Sequence, residues 1–242
     1  MPSTIRLFIA IFFFTTGLFL AGCQKQEKLN LPPLTNRNVK EELIKFGKEN
    51  PETEVLISTS LGEIKVKLYT ETPLHRANFI RLIKMGYYDN KVFNRVIKGH
   101  MAQGADSRDE AEKKRVNIGE YGIPSEVNTK FYHKRGALAM ARYDDEFNPT
   151  KASSSDNFYL VQGTVATLSE IQDVEQRYHI KYTPEQIKTY TTIGGVPTLD
   201  SKYTVFGEVT EGLEVVDKIA NFKTDTHDWP IKDIYMTMKV LD

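Results

Sequence analysis

Apolar and polar residues alternate with a period of two in several short stretches of the chain. Ile64, Val66 and Leu68 are interleaved with Glu63, Lys65 and Lys67, the pattern of a strand with one buried face. Ile234, Met236, Met238 and Val240 repeat it near the C-terminus. Strands are therefore expected at Glu54–Ser60 and Glu63–Tyr69, joined at Leu61-Gly62. Others are expected at Val92–Ile97, Met101–Gln103, Ala137–Arg142, Asn157–Gln162 and Thr204–Thr210. Helical spacing is scarcer. It marks Val39–Lys48, a stretch with Ala77, Ile80 and Ile83 between a Thr72-Pro73 start and a Gly86 stop, and Leu213–Asn221. About eight strands and two principal helices, without regular strand–helix alternation, predict a mainly-β fold. Its form is a closed antiparallel barrel capped by the two helices, because closure removes exposed strand edges.

Two stretches interrupt this pattern. Ser107 to Glu126 is polar and reads as a long loop, while residues 167–197 read as an insertion with helical pieces at Glu170–Arg177 and Pro184–Tyr190. The insertion's stripe of Ile171, Val174 and Tyr178 fits either a small satellite core or a partner-docking face.

The N-terminus follows a different logic. Arg6 precedes an apolar run from Leu7 to Ala21 that ends in Leu20-Ala21-Gly22-Cys23. A charged residue, a short apolar core and small residues before a cysteine resemble a bacterial lipoprotein signal, read as residues 1–22 with lipid on Cys23. An uncleaved anchor and an ordinary signal are the alternatives. Residues 23–38, with Pro32-Pro33, then form a flexible tether, and 39–53 a short helical extension before a domain over 54–242. Cell-envelope localisation on the periplasmic face follows. The outer membrane is favoured because Gln24, not aspartate, follows Cys23.

Composition narrows the possibilities further. The 32 basic and 32 acidic residues cancel, which gives no reason to expect a nucleic-acid partner. Cys23 is the only cysteine, so no internal disulfide can form. His75, His133, His179 and His227 lack metal-ligand spacing and read as scattered surface residues; no metal or cofactor is expected. Strict alternation in Val92–Ile97 sets Phe93, Arg95 and Ile97 on one face. An arginine between two apolar residues by itself suggests only a side chain reaching out at a barrel edge.

The residues that follow change that reading. Phe93-Asn94-Arg95 continues into Gly99-His100-Met101-Ala102-Gln103-Gly104, which resembles the cyclophilin signature F-x-R-x-x-x-G-x-x-x-Q-G. Further blocks resemble the same family in order: Thr72-Pro73 through Asn78-Phe79 to Gly86-Tyr87-Tyr88-Asp89, Gly136–Arg142, Asn157-Phe158-Tyr159-Leu160, and Leu199–Gly207. Together they span most of the chain from Glu54 to Leu241. The resemblance implies an eight-stranded barrel with a helix at each end and cis–trans isomerisation of Xaa-Pro bonds in polypeptides. It implies that Arg95 is catalytic, that Gln103 orients it and binds substrate backbone, that Met101, Leu199 and Phe206 line a proline pocket with Tyr159 where phenylalanine is usual, and that Phe93, His100, Asn157 and Tyr203 also bind substrate. Ala141 and Arg142 would pair with the bound peptide. His100 stands where the family usually has phenylalanine, Asn157 where it has glutamine, Tyr203 where it has histidine, and Thr198 where a larger group is common. His100 could make binding depend on pH near 6.5. A monomeric isomerase acting on exported proteins is expected; the competing class is a proline-peptide-binding or chaperone module with weak turnover.

Overall fold

Residues 28–241 are described by a computed structural model. Residues 1–22, read as a signal peptide, and Cys23, read as its lipidation site, lie outside them.

The alternating stretches form the strands they predict. Strand β2 (Glu54–Thr59) buries Val55 and Ile57, β3 (Gly62–Leu68) buries Ile64, Val66 and Leu68, and β10 (Tyr235–Val240) buries Met236, Met238 and Val240. Between them run β4 (Lys91–Ile97), β5 (Met101–Asp106), β7 (Ala137–Met140), β8 (Phe158–Val161) and β9 (Val205–Glu211). These eight close into an antiparallel barrel in the order β10-β2-β3-β9-β7-β8-β5-β4, with β4 returning to β10. Inward side chains from all of them share one core with the helices.

Six α-helices are present among the described residues, not only the two that cap the barrel. Helix α2 (Pro73–Lys84) closes one end and is buried from Leu74 to Ile83. Phe79 meets Phe158 and Phe206 edge-on there, at 5.6 and 5.4 Å between ring centroids. Thr72 does not cap α2 with its side chain. Glu126, from 52 residues away, does so, accepting from the N–H groups of Leu74 and His75 at 3.0 and 2.9 Å. Helix α6 (Leu213–Ala220) closes the other end through Val215, Val216 and Ile219. Gly212 before it sits at φ +84, and a Cβ there would come within 2.1 Å of the Glu63 carbonyl oxygen. Only glycine can make that turn.

The segment read as a flexible tether is docked over the residues described. Leu34 is 2% exposed. Leu34–Thr35 (β1) pairs in parallel with Gly119–Glu120 (β6), inside the stretch expected to be a plain loop. The same stretch contains α3 (Glu110–Lys114). Helix α1 (Val39–Glu49) packs on α2, and the buried Arg76 of α2 donates to the carbonyls of Gly47, Asn50 and Glu52. Those carbonyls sit at the helix end and just beyond it, where no intrahelical donor reaches them.

The insertion folds as α4 (Leu168–Tyr178) and α5 (Pro184–Thr192), each opened by a reciprocal cap, Thr167 with Glu170 and Thr183 with Gln186. Of its apolar stripe, Ile171 buries with Tyr190 in a small satellite cluster, Val174 is buried outside that cluster, and Tyr178 stays partly exposed with Lys202 over its ring. Gly195 then threads between Thr164 and the His133 backbone, where a Cβ would come within 2.3 Å of the His133 carbonyl oxygen.

Candidate active site

The β4 ladder is not regular. Its register against β5 shifts between Val92 and Phe93 and again between Phe93 and Arg95. Such bulges add a residue and turn the side chains that follow them. Strict alternation therefore fails here, and Phe93 and Arg95 do not share a face. Phe93 is fully buried and packs edge-on to Phe158 inside the barrel, so it does not line the outer groove. Arg95 turns outward, its side chain 51% exposed.

From Arg95 the ladder carries one row of residues across the barrel wall. Arg95 pairs with Gln103, Gln103 with Tyr159, Tyr159 with Ala139, and Ala139 with Val205. The Arg95 guanidinium has its Nε 3.6 Å from Oδ2 of Asp228, in the loop before β10. Sequence reasoning gave Asp228 no role. Arg95, Gln103, Ala141, Arg142 and Asn157 line a cleft of about 290 Å³.

Beside the cleft lies a second apolar cluster, separate from the main core. Met101, Ala139, Tyr159 and Val205 form it, with Leu199 and Tyr203 packed partly exposed against it. Leu199 comes from a 3₁₀ turn at Pro197–Leu199. Phe206 does not belong to it: one residue past Val205 it points into the barrel, fully buried against Phe79, and is not a pocket residue. Period-two alternation within β9 was enough to predict this.

The remaining expected residues divide. Arg142 holds its side chain almost buried, donating to the Lys202 and Tyr143 carbonyls and lying over the Tyr203 ring, 5.2 Å from its centroid. It is a wall of the pocket, stacking a cation on an aromatic face. The Ala141 backbone is already engaged inside the protein. Its N–H donates to the Asn157 carbonyl and its C=O accepts from Ser154, both at 2.8 Å. The Asn157 side-chain amide donates to Asp156.

His100 sits at the turn between β4 and β5, on a neighbouring cleft of about 320 Å³ walled by α4 and Pro197-Thr198. Burial, then the positive charge of Arg95, lowers its pKa below the usual 6.5. His100 is therefore neutral across the neutral range, which removes the reason for a switch near pH 6.5.

Two histidines read as surface residues are buried. His75 is 0% and His133 1% exposed. His75 bridges Glu126 and Ser153, and His133 bridges Asp200 and the Tyr159 hydroxyl. Their partners lie 26 to 78 residues away, and no local sequence signal marks them.

Comparison with known proteins agrees with this geometry. The family model described as cyclophilin type peptidyl-prolyl cis-trans isomerase/CLD matches residues 54–240. A putative peptidyl-prolyl cis-trans isomerase of Staphylococcus saprophyticus is 30% identical over 186 residues, covering 76% of this chain and 88% of that one. A putative bifunctional phosphatase/peptidyl-prolyl cis-trans isomerase of Streptococcus pyogenes is 31% identical over 194 residues. That match covers 78% of this chain and spans only 39% of the relative's length. Among solved structures, a cyclophilin type peptidyl-prolyl cis-trans isomerase of Cryptosporidium parvum superposes with a TM-score of 0.57 at 22% identity, covering 79% of this chain and 98% of that chain. The same protein solved in the presence of the dipeptide Ala-Pro gives 0.56.

Proposed function

The chain belongs to the cyclophilin-type peptidyl-prolyl cis–trans isomerase family, and from that premise we propose that the groove over β4, β5, β8 and β7 is its catalytic site for Xaa-Pro bonds in exported polypeptides. The row Arg95–Gln103–Tyr159, with an apolar pocket at its end, carries this reading.

The chemistry asks little of the protein beyond placement. Amide resonance sets a barrier of about 18–20 kcal/mol, and a catalyst lowers it by favouring the twisted amide over both planar forms. Met101, Leu199, Tyr159 and Tyr203 give the prolyl ring an apolar seat. Asp228 faces Arg95 at Nε, which leaves the two terminal nitrogens to point at substrate. A donor aimed at the prolyl nitrogen draws its lone pair out of conjugation, so the interaction strengthens as the bond twists. Gln103 would hydrogen-bond the peptide backbone, a role supported by its position opposite Arg95 in the ladder.

Isomer exchange of a short Ala-Pro peptide, measured by NMR with the unsubstituted domain and with Arg95→Ala, tests this. Accelerated exchange that Arg95→Ala abolishes is expected. Binding without acceleration would instead make the protein a proline-peptide-binding module.

We further propose that residues 1–22 are a signal peptide, that Cys23 carries lipid and that the domain works as a monomer on the periplasmic face of a bacterial membrane, the outer one favoured. The sequence Leu20-Ala21-Gly22-Cys23 supports this. Palmitate labelling that Cys23→Ala abolishes is expected; an unlabelled protein in the soluble fraction would overturn it.

A further inference from the structure

The insertion and the pocket meet at one buried carboxylate. Asp200, next to Leu199, is 4% exposed. Its Oδ1 accepts from the backbone N–H of His133 at 2.8 Å and lies 2.7 Å from that residue's ring Nδ1. Its Oδ2 accepts from the hydroxyls of Tyr190 at 2.6 Å and Tyr182 at 2.7 Å. Four donors satisfy a charge that would otherwise be costly to bury. Two of them belong to the 167–197 insertion.

His133 reaches the pocket with its other nitrogen. Nε2 is 2.9 Å from the Tyr159 hydroxyl, and the two rings are stacked. A carboxylate on Nδ1 holds the ring proton there, so Nε2 accepts and the Tyr159 O–H donates. Burial raises the Tyr159 pKa well above its usual value, so this donor stays protonated. Tyr159 is thus pinned at its far end while its ring packs with Met101, Leu199 and Tyr203.

We propose that Asp200, His133, Tyr182 and Tyr190 are positioning residues that fix Tyr159 as the floor of the proline pocket, so that the insertion sets how the site accepts its substrate. The inference rests on the pocket assignment made above. An unpinned ring could swing into the space a prolyl ring must enter. The tie also gives the phenol at this position a role: its hydroxyl is where the Tyr159 ring joins His133, Asp200 and the insertion's tyrosines.

The test replaces Tyr182 and Tyr190 together by phenylalanine in the whole protein, and repeats this in a Tyr159→Phe background. Both rings remain, so the small insertion core keeps its packing. KM for an Ala-Pro peptide should rise roughly tenfold with kcat little changed, the net worth of one hydrogen bond, because only part of the loss of two hydroxyl contacts to Asp200 reaches Tyr159. In the Tyr159→Phe background the same pair should shift KM by less than about twofold. Ring-nitrogen NMR shifts of His133 in the unsubstituted protein should report the proton on Nδ1. Equal KM rises in both backgrounds, no rise in either, or a proton on Nε2 alone would overturn the proposal. Absence of any isomerase activity would defeat the functional assignment instead. Peptide Kd in the same four proteins, with the His133 tautomer, would then still decide whether the tie exists.

Discussion

Arg95 faces Asp228, Nε to Oδ2 at 3.6 Å, from a loop that β4 itself holds in place: the Val96 N–H donates to the Asp228 carbonyl at 2.8 Å. Asp228 adopts φ +63, so its carboxylate is aimed by backbone geometry as well as by charge. Both side chains are about half exposed, where an ion pair is worth about 1 kcal/mol or less. Asp228→Asn should therefore lower kcat by about two- to fivefold through a less ordered guanidinium, with little effect on KM. A loss as large as that of Arg95→Ala would show that Asp228 takes part in more than placement.

Arg95→Lys tests whether charge or shape matters. Lysine keeps the charge but not the planar fork of donors. Removing a donor aimed at a developing transition state costs on the order of a hundredfold or more in rate. The expected result is a fall of about a hundredfold in kcat/KM with stability within about 0.5 kcal/mol, since the side chain is half exposed and supports no packing. Retained activity would mean that a point charge suffices.

His100 should not act as a switch in the neutral range. Burial and Arg95 both disfavour its protonated form, so its charge appears only below its usual 6.5. Rate profiles should be flat from about pH 8 to 6.5 and decline only below that, and His100→Phe should remove any part of the decline that His100 causes. An inflection at or above pH 6.5 that His100→Phe abolishes would contradict this.

Phe206 separates core from pocket. It is fully buried between Phe79 and His75, with centroids at 5.4 and 5.8 Å. Phe206→Ala should cost about 3–5 kcal/mol of stability in denaturant titration. The milder Phe206→Leu should leave peptide KM unchanged. A raised KM at unchanged stability would return Phe206 to the pocket.

The barrel was legible because a half-buried strand writes its register into the sequence, as Ile64, Val66 and Leu68 do. Of the residues picked out by the order of the family-like blocks, Arg95, Gln103 and Tyr159 share one ladder row, and Met101 and Leu199 pack with Tyr159 in the second apolar cluster. What failed was what the chain does locally or at long range. The double register shift in β4 sent Phe93 inward, and no residue type announces a bulge. The docking of Leu34 rests on a two-residue ladder with a distant loop, too short to carry a period. His75, His133 and Asp228 act through partners that only the closed barrel assembles.

His75 makes the fold itself sensitive to acid. It is fully buried at the start of α2, with Nδ1 2.7 Å from Glu126 and Nε2 2.8 Å from the Ser153 hydroxyl, and the Phe206 ring beside it. Burial lowers its pKa below 6.5 and outweighs Glu126, which pulls the other way. In the unfolded chain the ring regains its ordinary pKa, so below about pH 6.5 the unfolded state binds a proton that the folded state refuses. The stability that follows from this is complete above about pH 6.5 and is lost as pH falls, by up to about 1.4 kcal/mol per pH unit. His100, shifted the same way but partly exposed, adds to the trend, so the difference between the unsubstituted protein and His75→Gln isolates the buried ring. Denaturant titrations at about pH 8, 6.5 and 5.5 should show a plateau and then a fall, with a shallower fall in His75→Gln. Stability that rises between pH 6.5 and 5.5 would mean that Glu126 wins and the ring is charged in the fold.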